Sequence, residues 1–502
     1  MAPGPGAGFV CVLLLAGWLW APSAGGHIGS PDVFFEGEAG PWPVRVIIRP
    51  PEVVPGLAEI SVRVHGPGVE AVRVRSSPLD SSSADAPPPE EARKVAGDRS
   101  LWRVDPRFMA SGFYNVHIEV DGAAGTGTVL VPVHCVAIQK VELDPRAKIL
   151  WIALGLLLAA GFGTLVGSTV KVVLEPGSGI EPGLVRGALG AMAVALVLSH
   201  GVLYGPKGWW NTADATTLHD LSGPFSISAA MGFATDSRVL EIVLDDERFR
   251  RAPALVPDHG KSMHVFLIRE PTLDTFAHLH PIQVGELTYS SPLPSSLPSG
   301  TYRLYADVTH ANGITQTLTT TVDLVETVAD PGPPRPSLAV DPDDSWHLAG
   351  PQEGAVHPFA DGFAMDWDVT APLRVGDEVT LRFQLRDTTG APAPLEPYMG
   401  MLGHAAIRRH DGTVFIHLHP TGTVSMASWQ VSEQREAARQ GLVDGDAGMD
   451  HAAMGHASPM AAESVAFPYE FPKPGTYRLW VQVKSDGRIY TGVFDASVEG
   501  DR

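Results

Sequence analysis

One pattern occurs twice in this chain and restricts its fold more than any other feature. KSMHVFLIREPTLDTFAHLHP (261–281) is followed by LPSGTYRLYADVTHANG (297–313), and MLGHAAIRRHDGTVFIHLHP (401–420) is followed by KPGTYRLWVQVKSDG (473–487). His264 and His404 are 140 residues apart, His278 and His417 are 139 apart, and Tyr302 and Tyr477 are 175 apart. The extra residues of the second copy therefore lie between HLHP and PGTYR. Short apolar runs bounded by turn residues read as β-strands and hairpins. Two β-sandwich domains of one kind follow, at 215–327 and 338–500, with ADPGPPRPS (329–337) between them. Composition agrees, since 53 Gly and 44 Pro in 502 residues favour short elements joined by turns.

The copies also imply a register. Asp411-Gly412 is a hairpin signal, and pairing outward from it sets Arg408 opposite Phe415, Ala406 opposite His417 and His404 opposite His419. A three-residue loop Pro271-Thr272-Leu273 in the first copy sets Ile268 opposite Phe276, Phe266 opposite His278 and His264 opposite His280. Different loops give one arrangement. The two His of each HxH then share a face, with the third directly across the ladder. Three imidazoles so placed can converge on one ion, which makes His264, His278 and His280 one candidate metal site and His404, His417 and His419 another. Imidazole suits copper, with zinc as the alternative. A solvated polar face carrying incidental histidines is the competing explanation for any single HxH.

An insertion at 445–462 adds a second metal signal. GMDHAAMGHASPM interleaves Met449, Met454 and Met460 with His451 and His456, and thioether with imidazole selects copper, Cu(I) above all. A low-complexity surface loop is its plain alternative. Cys11 and Cys135 are the two cysteines, too few for a disulfide framework or a Cys-rich metal site. The formal charge of -20 argues against nucleic acid as a partner and for cations.

The start of the chain reads as export. Residues 9–20 form an apolar run suited to a signal peptide (1–26), and cleavage after Gly26 would make His27 the N-terminus, able to chelate copper through its amine and ring. Residues 149–170 and 187–206 lack charge and are long enough for a transmembrane hairpin spanning 149–206. Basic residues flank these runs on both sides, so orientation rests on the signal peptide, which sets the soluble parts on the exported side of a bacterial membrane. Residues 27–145 alternate as strands of an immunoglobulin-like sandwich, with 76–100 expected as a mobile Pro-rich excursion. The fold class is mainly β: three immunoglobulin-like β-sandwich domains plus a two-helix transmembrane hairpin. His65, His117 and His134 are weaker ligand candidates beside His27. His200 reads as a membrane-interface residue and Cys135 as a buried small hydrophobe. His310 reads as a loop residue able to join the first site, while His259, His347, His357 and His410 show no constellation of their own.

HIGSPDVFFEGEAGPWPVRVIIRP and the GTYRLYADVTHANG and GTYRLWVQVKSDG segments resemble exported bacterial β-sandwich proteins of the YtkA-like and FixH-like kind. That resemblance implies an immunoglobulin-like fold in an exported, often membrane-attached setting. MDHAAMGHA is similar to Met/His tracts of bacterial copper-resistance proteins, which implies periplasmic copper handling. The leading expectation is a membrane-anchored protein that binds, buffers or transfers copper, with metal ions, the lipid membrane and a copper transporter or acceptor protein as partners. A mononuclear three-histidine enzyme of zinc hydrolase, lyase or oxygenase type is the first alternative, and an adhesion scaffold the second. No general base or nucleophile is evident beside the triads, and GxSxG, HExxH and P-loop motifs are absent.

Overall fold

Among the described residues, strand alternation builds six main sheets, which face one another in three pairs around three apolar cores, with Phe34 and Ile47 of the first unit packing into the core of the last. The computed structural model describes residues 32–79, 87–135, 226–234, 237–245, 255–326, 338–351, 354–369, 372–441 and 462–500, together with Gly155, Leu157 and Gly161. The protein is mainly β, as the alternation implies. The apolar runs at 149–170 and 187–206 lie outside the described residues, apart from those three positions. Among the described residues no helix is long and apolar enough to cross a membrane. The signal segment 1–26, His27 and the tract 445–462 also lie outside them.

In the first pair, a five-stranded sheet containing Val33–Ala39, Trp42–Arg49 and Glu59–Val64 faces a four-stranded sheet containing Val69–Pro78, Gly112–Gly122 and Gly125–Cys135. Val46, Ile60, Val116 and Val131 fill the space between. The expected excursion at 76–100 is corrected at both ends, residues 76–78 being the end of the strand Val69–Pro78. Glu90–Glu91 pairs with Arg73 and Val74, and Arg93–Lys94 with Arg103 and Trp102, so the chain crosses from one sheet to the other. Ladder bonds join backbone groups and do not depend on polar side chains, which is why composition misled there. Residues 80–86 lie outside the described residues.

The two repeats build their central sheets alike. In the first, β1 (His264–Arg269) lies between β2 (Phe276–Leu279) and β3 (Gly300–His310). In the second, β4 (His404–Arg409) lies between β5 (Phe415–Leu418) and β6 (Gly475–Ser485). Each central sheet covers a four-stranded sheet of its own unit. Their other faces meet one another. Phe266, Phe276 and Tyr305 of the first repeat share one buried cluster with Ala406, Phe415, Trp480 and Val493 of the second.

That contact is reciprocal. Phe276 stacks on Trp480 (5.0 Å between centroids, 11° between planes), and Phe415 stacks on Tyr305 (3.8 Å, 7°). Tyr305 and Trp480 hold equivalent positions, opposite Phe266 and Ala406 in their sheets. The two repeats are thus related by an approximate two-fold axis through this face, as in an isologous dimer. Ser345–His347, on the second repeat's side of the linker, pairs with β2 as an edge strand of the first repeat's sheet. Helix α1 (Met426–Arg439) follows β5, with Ser425 as its N-cap accepting from the Ser428 N–H. Trp429 donates from its indole to the Leu130 carbonyl and ties α1 to the first sandwich.

Candidate metal centre

Of the expected pairings, Phe266 with His278, Ile268 with Phe276, Ala406 with His417 and Arg408 with Phe415 hold, whereas both ladders stop one position short, at Val265–Leu279 and Ala405–Leu418, so His264–His280 and His404–His419 are not ladder pairs. The second hairpin reaches this register differently from a two-residue turn. The Gly412 N–H donates to the Arg409 carbonyl at 2.8 Å and Gly412 is left-handed (φ 74°), giving a turn with a bulge. The β5 ladder ends at Leu418, and His419 stands just beyond, its backbone paired with Gly422.

Within each triad the ligand nitrogens lie within 4.8 Å of one another. The rings of His264, His278 and His280 are separated by 5.4, 5.1 and 4.5 Å. Those of His404, His417 and His419 are separated by 5.4, 5.2 and 4.4 Å. The two arrangements match to 0.1 Å. All six side chains are buried.

The outer nitrogens fix the tautomers. His264 Nε2 donates to the Asp258 carbonyl and His404 Nε2 to the Tyr398 carbonyl, both at 3.1 Å, because a carbonyl can only accept. His278 Nδ1 faces Gln482 Oε1 at 2.9 Å, the amide nitrogen of Gln482 being taken up by Ser345 and Thr491. His417 Nδ1 lies 3.2 Å from Asp307 Oδ2. Asp344 Oδ1 accepts the His280 backbone N–H at 2.8 Å, so His280 Nδ1, 2.9 Å away, must bring its own proton.

For His264, His278, His280, His404 and His417 the inward nitrogen is then a bare lone pair. His264 Nδ1 and His278 Nε2 face each other at 3.2 Å, and His404 Nδ1 and His417 Nε2 at 3.3 Å. His280 Nε2 has no hydrogen-bond partner, and His419 has none at either ring nitrogen. Two lone pairs at that distance repel unless a cation lies between them. A proton is disfavoured: burial pushes the His264 imidazole down to about 4 and holds His278, His280, His404 and His419 well below their ordinary value. A metal ion fits, since nitrogens ~2.0–2.1 Å from a tetrahedral ion stand ~3.3 Å apart.

His259, read from sequence as isolated, belongs to this cluster. It is left-handed (φ 52°) in the turn Asp258–Lys261, with its ring 5.4 Å from that of His404 and 5.2 Å from that of His419. Asp258, His259 and His419 also form a group able to hold a metal. Met399 occupies the matching turn position in the second repeat (φ 50°), followed, like His259, by a glycine at φ 78°. The alignment of the copies, continued one turn upstream of His264, shows this match. Asp341 joins His280 and Asp344 in a further group. Burial pushes the Asp344 carboxyl up to about 7.

The remaining candidates lie elsewhere. His310 is buried at the end of β3 and bonds Gln316, and it joins no metal-holding group. His347 and His357 face each other at 5.1 Å, and His410 sits beside Asp495. His134 stacks on Phe113, and His65 is exposed. Cys135 is buried, which pushes its thiol up to about 11.

A family model described as "Domain of unknown function (DUF8832)" matches residues 358–500. No curated protein matches. Among solved structures, a tetra-tandem repeat from the extending region of a large adhesion protein is 8% identical, covering 89% of this chain and 71% of that one, with a TM-score of 0.16. Dimeric latent PorU from Porphyromonas gingivalis is also 8% identical, covering 89% of this chain and 32% of that one, again at 0.16. The titin domains z1z2 in complex with telethonin are 12% identical over 56% of this chain and 97% of theirs, at 0.12. Likenesses this remote carry no information about activity.

Proposed function

We propose that this chain is an exported copper-binding protein that holds the metal at two three-histidine sites, with zinc as the alternative occupant. The observation that carries this reading is the pair of facing bare nitrogens in each triad, 3.2 and 3.3 Å apart in buried surroundings. Outer hydrogen bonds orient all three rings of the first triad and the His404 and His417 rings of the second, as metal-ligating histidines require. Burial favours retention over rapid release, so capture and hand-over fall to the Met/His tract at 445–462, with a copper transporter or acceptor protein as the partner. The wider proposal is three immunoglobulin-like units of YtkA-like or FixH-like kind, anchored by a hairpin at 149–206 on the exported side of a bacterial membrane.

Metal analysis of the purified chain after copper loading tests this reading. His280→Ala combined with His419→Ala should lower the tightly held copper by the share of both triads. Stoichiometry unchanged by that pair of substitutions would overturn it.

A further inference from the structure

We infer that the two triads are halves of one dinuclear centre, each completed by the other repeat. This rests on the copper-binding reading above and goes beyond it. The triads face each other across the pseudo-two-fold contact: the His264 ring is 5.5 Å from that of His417, and the His278 ring is 5.8 Å from His417 and 6.3 Å from His404. These separations hardly exceed those within a triad. With each ion ~2 Å from its nitrogens, facing rings at 5.5 Å hold the two ions within about 12 Å of one another.

The orienting shell is exchanged between the repeats. Asp307 lies opposite His264 in the first repeat's sheet, yet its carboxylate holds His417 of the second. Gln482 lies opposite His404 in the second repeat's sheet, yet its amide oxygen holds His278 of the first. His259, again from the first repeat, brings its ring against His404 and His419. Neither repeat alone can therefore orient its own central histidine. The two metal positions also differ. The one at His404, His417 and His419 has a carboxylate behind it and a fourth imidazole beside it. The one at His264, His278 and His280 has a neutral amide behind its central histidine, with Asp344 behind His280, and the turn position equivalent to His259 is Met399.

Cu(II) itself is the probe. The full chain carrying Met449→Ser, His451→Ala, Met454→Ser, His456→Ala and Met460→Ser leaves the triads as the strong sites. At two equivalents, frozen-solution paramagnetic resonance should show dipolar broadening that is absent at a small fraction of one equivalent. Two bound ions with unbroadened signals, or saturation at a single ion, would overturn the dinuclear centre while leaving copper binding intact. No binding at all would overturn both.

Exchange between repeats has its own readout. In a His280→Ala background, where the second triad alone is complete, Asp307→Asn should weaken Cu(II) by about 10–100-fold and alter its hyperfine splitting. In a His419→Ala background, Gln482→Leu should do the same to the first triad. Unmoved affinity and spectra in both backgrounds would show that each repeat works alone.

Discussion

A neutral imidazole carries one proton, and in this protein the outer acceptors decide which nitrogen holds it. The Asp258 and Tyr398 carbonyls, Asp307, Gln482 and Asp344 each draw the proton outward, so the inward nitrogens are left as acceptors with nothing to accept. The cost shows in the metal-free protein as a pH dependence. The His264 imidazole sits at about 4 when folded and near 6.5 when unfolded. Between those values the unfolded chain takes up a proton that the folded chain refuses. Stability is therefore complete above about pH 6.5 and falls as pH drops toward 4, by on the order of 3 kcal/mol for this group. His278, His280, His404 and His419 act in the same direction. Asp344, pushed up to about 7, acts oppositely: folded, it keeps a proton that the unfolded chain releases above about 4, which favours folding on acidification. The histidines outnumber it. Urea midpoints of metal-free protein should fall between pH 6.5 and 4.5, and a flat or rising midpoint would contradict the neutral cluster.

At the scale of elements, each triad depends on a hairpin and on the turn that precedes it. Gly412 is left-handed at φ 74° where β4 turns into β5, and a Cβ there would strain the backbone. Gly412→Ala should cost about 1 kcal/mol, seen as a lower melting temperature, with copper stoichiometry unchanged if the register survives. The cap of α1 is a second test. Ser425→Ala removes an acceptor from the Ser428 N–H and should cost about 1 kcal/mol. Much of this was legible in the sequence, because HxH obeys the two-residue period of a strand and the repeats supply two independent turns with one register. His259 was not, since it belongs to no strand; its one signal is the match of Asp258–Lys261 to Tyr398–Met401. Asp307 and Gln482 were not legible either. Their sheet positions are predictable from GTYR, but their partners lie in the opposite repeat, and no periodicity within a strand reports which face meets which.

At the scale of the molecule, an apolar seam joins the two repeats. Trp480 and Phe276, with Phe415 and Tyr305, are buried between the sheets beside the histidines. Trp480→Ala should destabilise the protein by about 3–5 kcal/mol, read by chemical denaturation, and should weaken copper at both triads together. A loss confined to the second repeat's triad would contradict the joint seam. A single ancestral unit bearing this face would meet a second copy of itself through the same contact. Fusion into one polypeptide releases such a pair from identity: after duplication, each half is free to drift at positions that a homodimer must keep equal. Carboxylate against amide at Asp307 and Gln482, and imidazole against thioether at His259 and Met399, are differences that a homodimer could not hold.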